Sequence, residues 1–128
     1  MLAELPDLDA QCDGVLIHSE NFQALRLIQG IYGKNIDGIY IDPPYNTAGS
    51  EIVYKNGYKD SSWCSLIHDR LDSSRHLLKL DAPACITIDE CEVSNLQMVI
   101  ESSFYGYKIR PVIIEYNHRG RVFAVTTI

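Results

Sequence analysis

The sequence predicts an α/β domain with a mainly parallel, doubly wound sheet flanked by helices. Apolar runs of strand length alternate with stretches of helical spacing along the 128 residues. Their order, β-α-β-α-β-α-β, calls for right-handed crossovers between parallel strands. One of the strands, Gly38-Ile39-Tyr40-Ile41, ends on Asp42-Pro43-Pro44-Tyr45. Two prolines cannot continue a ladder, because each lacks an N–H and has a fixed φ. In open α/β sheets, ligands bind outside strand ends of this kind.

The elements follow in order. Gly14-Val15-Leu16-Ile17-His18 reads as a first short strand. Asn21 opens a helix with Phe22, Leu25, Ile28 and Tyr32 on one face, and Gly33 is placed to cap it. The second strand runs from Asp37 to Ile41. Residues 46–60 contain Asn46, Gly49, Ser50, Asn56 and Gly57 with little periodicity, and read as a long loop. A longer helix begins at Ser61-Ser62, with Trp63, Leu66, Ile67, Arg70, Leu71, Leu77 and Leu78 largely on one stripe. Pro83 to Ile88 is the third strand, ending at Asp89. A helix from about Glu90 to Ser103 turns Val93, Leu96, Val99 and Ile100 inward. Pro111 to Tyr116 is the fourth strand, with its proline at a tolerated first position. Val122 to Ile128 looks like the start of further structure. Four strands make a narrow sheet, and parallel sheets need both faces covered. The chain is therefore expected to form one incomplete domain over residues 1–128.

Composition narrows the class. Hydrophobic residues make up 46% and charged residues 22%, ordinary values for a globular chain. No apolar run reaches the roughly 20 residues of a membrane span. No basic-then-apolar leader is visible at the N-terminus, so a cytoplasmic protein with reduced thiols is expected. Cys12, Cys64, Cys85 and Cys91 show no C-x-x-C spacing, and Cys85 reads as a core residue. The four histidines form no metal-binding pair, so no metal site is expected. The net charge of −6 offers little of the counterion release that drives binding to phosphates. Locally, Arg110, His118, Arg119 and Arg121 form a basic cluster in which Arg119-Gly120-Arg121 could grip phosphate or a base edge. A solvated loop is the plainer reading of the same residues.

A carboxylate beside an aromatic ring suits a flat substrate bearing an amino group, such as a nucleobase. The exocyclic amines of adenine and cytosine are poor nucleophiles, because the nitrogen lone pair is delocalised into the ring. Asp42 can accept an N–H bond and favour the positive charge that develops as nitrogen attacks a methyl group. The Pro43 carbonyl can take the second N–H, and Tyr45 can stack on the base, worth roughly 1–3 kcal/mol. A base inside a duplex must be flipped out to reach such a pocket.

Ile39-Tyr40-Ile41-Asp42-Pro43-Pro44-Tyr45-Asn46-Thr47 resembles the catalytic motif of adenine-specific DNA methyltransferases. The nearest resemblance is to the modification subunits of type III restriction–modification systems. Leu16-Ile17-His18 with Asn21 and Ala24-Leu25, then Trp63, Arg70-Leu71 and Arg75, are similar to the segments on either side of that motif. Ile86-Thr87-Ile88-Asp89-Glu90-Cys91-Glu92, Phe104-Tyr105-Gly106 and Asn117-His118-Arg119-Gly120-Arg121 continue the likeness in the expected order.

The resemblance implies a Rossmann-like fold, S-adenosylmethionine as methyl donor, and double-stranded DNA with a flipped adenine as substrate. It implies that Asp42, Pro43, Pro44 and Tyr45 hold the amine, with Asp at the first position pointing to adenine N6. Asn46, Arg119 and Arg121 become candidate DNA contacts. Glu20 stands where relatives have Asp, and Ser19 where they have Gly. That makes Glu20 a candidate contact to the cofactor's adenosine, while an acid in a first helical turn also suits the helix dipole. Asp89 and Glu92 are expected to cap and solvate their helix rather than act in catalysis. The family's Phe-x-Gly-x-Gly cofactor turn has only a partial match, Phe104-Tyr105-Gly106-Tyr107-Lys108, and no recognition domain follows. A truncated enzyme is therefore expected, with little activity alone, whose partners are its other half or a restriction subunit. Methylation of RNA or protein glutamine, or a non-catalytic remnant, are the alternative readings.

Overall fold

The computed structural model describes residues 7, 11–47, 57–117 and 121–127. Within them, β1 (Ile39–Ile41) and β2 (Ala84–Ile88) pair in parallel, with Ile39 opposite Ala84 and Ile41 opposite Ile86. β3 (Arg110–Asn117) and β4 (Arg121–Thr127) pair antiparallel, and β4 also pairs antiparallel with β2. The sheet order is β1-β2-β4-β3.

The sheet, expected to be mainly parallel and doubly wound, has one reversed strand, and its last crossover is replaced by a hairpin. β4 runs against both its neighbours, so β1, β2 and β3 still point the same way. The reason lies in the link at 118–120, which is far too short for the crossover that a parallel strand requires. The apolar run after it folds back as a hairpin and inserts between β2 and β3.

The strand expected at 14–18 does not form. Val15, Leu16 and Ile17 are exposed, and none of the described residues offers them a ladder. An apolar run becomes a strand only where a neighbour takes its hydrogen bonds. The nearby bridge is instead between Ile36 and Leu78, just ahead of β1.

Three helices support the sheet. α1 (Asn21–Tyr32) ends at Gly33, whose N–H donates to the Gln29 carbonyl. The reason for glycine there is close approach rather than a left-handed backbone: a Cβ would sit 2.6 Å from the Gln29 oxygen. Lys34, the next residue, takes the positive φ of 56°. α2 (Asp60–Arg75) starts close to its expected position and stops three residues short of Leu78. α3 (Val93–Ser103) begins after a turn over residues 90–92.

The core lies between β2 and the pair α2 and α3. Ala84, Ile86 and Ile88 are buried, while Cys85 and Thr87 between them are only half-buried, the alternation of a strand with one packed face. Trp63, Ile67 and Leu71 of α2 and Leu96, Val99 and Ile100 of α3 complete the cluster. Each contributes on the order of 1.5–3 kcal/mol through burial. Cys85, expected in the core, therefore belongs to the other side of the sheet. Among the described residues, no helix is long and apolar enough to cross a membrane.

Candidate active site

β1 breaks at Asp42 because Pro43 and Pro44 follow, and the side chains beyond Ile41 gather at the carboxyl end of the sheet. The parallel register pairs Ile41 with Ile86, so one step further Asp42 lies beside Thr87. The Thr87 hydroxyl donates to Asp42 Oδ1 at 2.6 Å. Tyr45, half-buried, brings its hydroxyl to both Thr87 and Asp42. Burial pushes the Tyr45 phenol up from its ordinary value; the Thr87 hydrogen bond opposes this, and the Asp42 hydrogen bond and charge reinforce it. Asp42 remains exposed, as an acceptor for an incoming group must be.

The turn is held from behind. Trp63, fully buried on α2, donates its indole N–H to the Pro44 carbonyl at 2.8 Å. Pro43 is buried beneath the turn, and no donor among the described residues reaches its carbonyl. That carbonyl is the one assigned from the sequence to the second N–H of the amine.

Asn46 takes a left-handed backbone, φ 61°, which Asn tolerates better than most residues. Its amide nitrogen donates to the Tyr58 carbonyl at 3.0 Å and to Glu92 Oε1 at 2.7 Å. Its amide oxygen accepts from the Tyr58 N–H at 2.7 Å. Asn46, a candidate DNA contact by sequence, thus turns inward and clamps the two ends of the 47–57 segment together. Glu92 is buried and accepts from Asn46 and, at Oε2, from Asn95 at 2.7 Å. The expectation that Glu92 is a solvated cap is corrected: it is buried and makes no side-chain capping bond to the α3 backbone, because Oε1 accepts from Asn46 and Oε2 from the Asn95 side chain. Asp89 does act locally, accepting from the Cys91 N–H at 3.0 Å.

Glu20 stands apart from the turn. It caps α1, accepting from the Gln23 N–H at 3.0 Å, and its other oxygen pairs with Arg70 at 2.7 Å. The Gln23 and Phe22 N–H groups, with Arg70, hold its carboxyl below the usual range against a small cost of burial. Arg119 lies outside the described residues. Arg121 opens β4, which is antiparallel to β2, and so lies beyond the carboxyl end of β2, at the same end of the sheet as Asp42.

A cavity of about 580 Å³ opens beside the turn, between α1, β1 and α2. Its walls are largely apolar (Leu25, Ile28, Ile39, Leu66), with Asp42 and Arg70 as its charged groups. Such a volume suits a small ligand. Glu20, the carboxylate assigned by resemblance to the cofactor's adenosine, accepts from the Gln23 N–H and from Arg70 and is not among the residues that line this cavity.

The α/β layering has a counterpart among solved structures. A solved structure from Thermus thermophilus, provisionally named a DNA modification methylase, matches the fold with a TM-score of 0.56 and 11% identity, over 81% of this chain and 48% of that one. Among curated proteins the chain is similar to type III restriction–modification Mod subunits. It is 28% identical to the StyLTI subunit of Salmonella typhimurium over 70% of this chain, and 28% identical to the EcoP15I subunit of Escherichia coli over 70%. It is also 31% identical to the type II methyltransferase M.KpnI of Klebsiella pneumoniae over 80% of this chain. The resemblance read from the sequence is thereby shown. The chain spans 18%, 19% and 26% of the lengths of these three relatives. No protein-family model matches it.

The sequence brought Asp42 through Tyr45 to notice and missed Thr87 as a member of the site. The signal for Thr87 was its place one residue before the carboxyl end of β2, next to β1, together with a hydroxyl in an otherwise apolar strand.

Proposed function

We propose that this chain carries the amine-binding catalytic motif of a DNA methyltransferase of the modification type, acting on adenine N6. The observation that supports it best is the pairing of Asp42 with Tyr45 at the carboxyl end of β1, tied together through Thr87, in a chain similar to modification methyltransferases.

In this reading an adenine flipped out of double-stranded DNA lies against the Tyr45 ring. Its N6 amine donates one N–H to Asp42 and the other to the Pro43 carbonyl. Those two acceptors draw electron density onto the nitrogen and favour the positive charge that it gains on methylation. The proton released from N6 leaves by way of the exposed Asp42 carboxylate. The methyl donor is S-adenosylmethionine, which supplies the activated methyl group. The remaining partners of the reading are a restriction subunit or further modification-subunit sequence, in the cytoplasm where the DNA lies.

Equilibrium binding tests it. Short duplexes are compared that carry one unpaired adenine, one unpaired cytosine or no unpaired base. Preference for the unpaired adenine is expected. Equal affinity for the three would contradict the reading.

A further inference from the structure

The third corner of the Asp42–Tyr45 arrangement has no part in the chemistry above, yet it joins the two residues that do. The Thr87 hydroxyl donates to Asp42 Oδ1 at 2.6 Å, and the Ile41 carbonyl at 3.4 Å is the poorer acceptor. A hydroxyl carries one hydrogen, so the short bond to Asp42 takes it. The Tyr45 hydroxyl meets both groups, and its one hydrogen goes either to the Asp42 carboxylate or to the Thr87 oxygen. Thr87 sits on β2 between buried Ile86 and Ile88, in a strand paired on both sides. Its branched side chain has little freedom about χ1. Asp42 and Tyr45 belong to a turn beyond the end of β1 and lack a ladder of their own.

A flat amine substrate has to satisfy two conditions at once. Its ring must lie on Tyr45 while its amine meets the Asp42 carboxylate, and misplacement of either by about 1 Å costs rate steeply. A carboxylate offers roughly four lone-pair sites, so the bonds to Thr87 and Tyr45 leave acceptor capacity for an amine.

We propose that Thr87 is the positioning residue that fixes the Asp42 carboxylate relative to the Tyr45 ring, and so sets the discrimination for a base bearing an amine. This rests on the adenine reading. Thr87 touches no substrate atom in it, and acts through the two residues that do.

The test compares the chain with Thr87→Val, which keeps the shape and removes the hydroxyl, and Thr87→Ser, which keeps the hydroxyl. Each binds a short duplex with one unpaired adenine, and the same duplex with purine, which lacks the amine, in place of that adenine. The quantity read is the ratio of the two affinities. A hydrogen bond to a charged acceptor predicts about a 10-fold preference for adenine in the unaltered chain. Thr87→Ser should keep that ratio and Thr87→Val should bring it close to one, with thermal unfolding of all three showing that the fold is intact. A Thr87→Val chain that discriminates as well as the unaltered one overturns the positioning role and leaves the adenine reading standing. An unaltered chain that does not discriminate overturns the adenine reading, and the role of Thr87 with it.

Discussion

Trp63 donates its indole N–H to the carbonyl of Pro44 across 2.8 Å, so α2 holds the turn that ends β1 from the buried side. This bond ties the core to the site: the buried Trp63 ring, a member of the core cluster, also holds the backbone between Asp42 and Tyr45. Trp63→Phe leaves that carbonyl without a donor and removes volume at a fully buried position. A loss of about 2–3 kcal/mol is expected from these two effects. Urea unfolding measures it, and adenine binding should weaken with it, because the turn loosens.

Asn46 makes a second connection, from the turn to Tyr58 and Glu92. Asn46→Ala removes three hydrogen bonds and places a residue ill suited to a left-handed backbone at φ 61°. The expected cost is about 3 kcal/mol, from roughly 1 kcal/mol per lost bond and a similar backbone penalty, partly offset by relaxation. Asn46→Gly relieves the backbone penalty and retains the loss of bonds, so its urea midpoint should fall between those of Asn46→Ala and the unaltered chain.

Glu92 accepts amide N–H groups at both oxygens, from Asn46 and Asn95. A carboxylate is therefore specifically required. Glu92→Gln keeps the size but turns an NH2 group against one of two NH2 donors in a buried setting. A loss of about 1–3 kcal/mol follows from the polar group left unsatisfied. Equal stability of Glu92→Gln and the unaltered chain in urea would contradict the clamp.

Low pH should weaken the α1 end of the molecule. The Gln23 N–H, the Phe22 N–H and Arg70 hold the Glu20 carboxyl below its ordinary value of 4.5 in the folded chain. A depressed folded pKa adds stability that is fully present above the unfolded value and disappears as pH falls through the folded one. The urea midpoint should therefore decline below about pH 4.5, and Glu20→Gln should show a shallower decline over that range. Comparing the two chains cancels the opposite trend of Asp89, whose carboxyl is raised chiefly by burial.

What the sequence made legible followed from local chemistry. Pro43 and Pro44 can only end a strand, so β1 and the turn beyond it could be placed from the residues alone, and with them Asp42 and Tyr45. The spacing of Trp63, Ile67 and Leu71 likewise marked the buried face of α2. What stayed hidden depends on contacts between distant segments. Val15-Leu16-Ile17 has the composition of a strand and no described neighbour to pair with, whereas the run after Arg121 finds two. Thr87 reaches Asp42 over 45 residues of sequence, through a register that only the pairing of β1 with β2 reveals. Glu92 looked like a solvated helix-start acid, because nothing local shows that Asn46 folds back onto it.

The most direct test of the account observes the amine itself. A short duplex with one unpaired adenine, labelled with 15N at N6, is bound to the chain and to Asp42→Ala, and the amino resonances are followed by NMR. The account predicts a downfield shift of an amino proton on binding, the mark of a hydrogen bond to a carboxylate, and its disappearance in Asp42→Ala. Amino resonances that do not move on binding, or that move equally in Asp42→Ala, would contradict the assignment of Asp42 as the acceptor of the adenine amine.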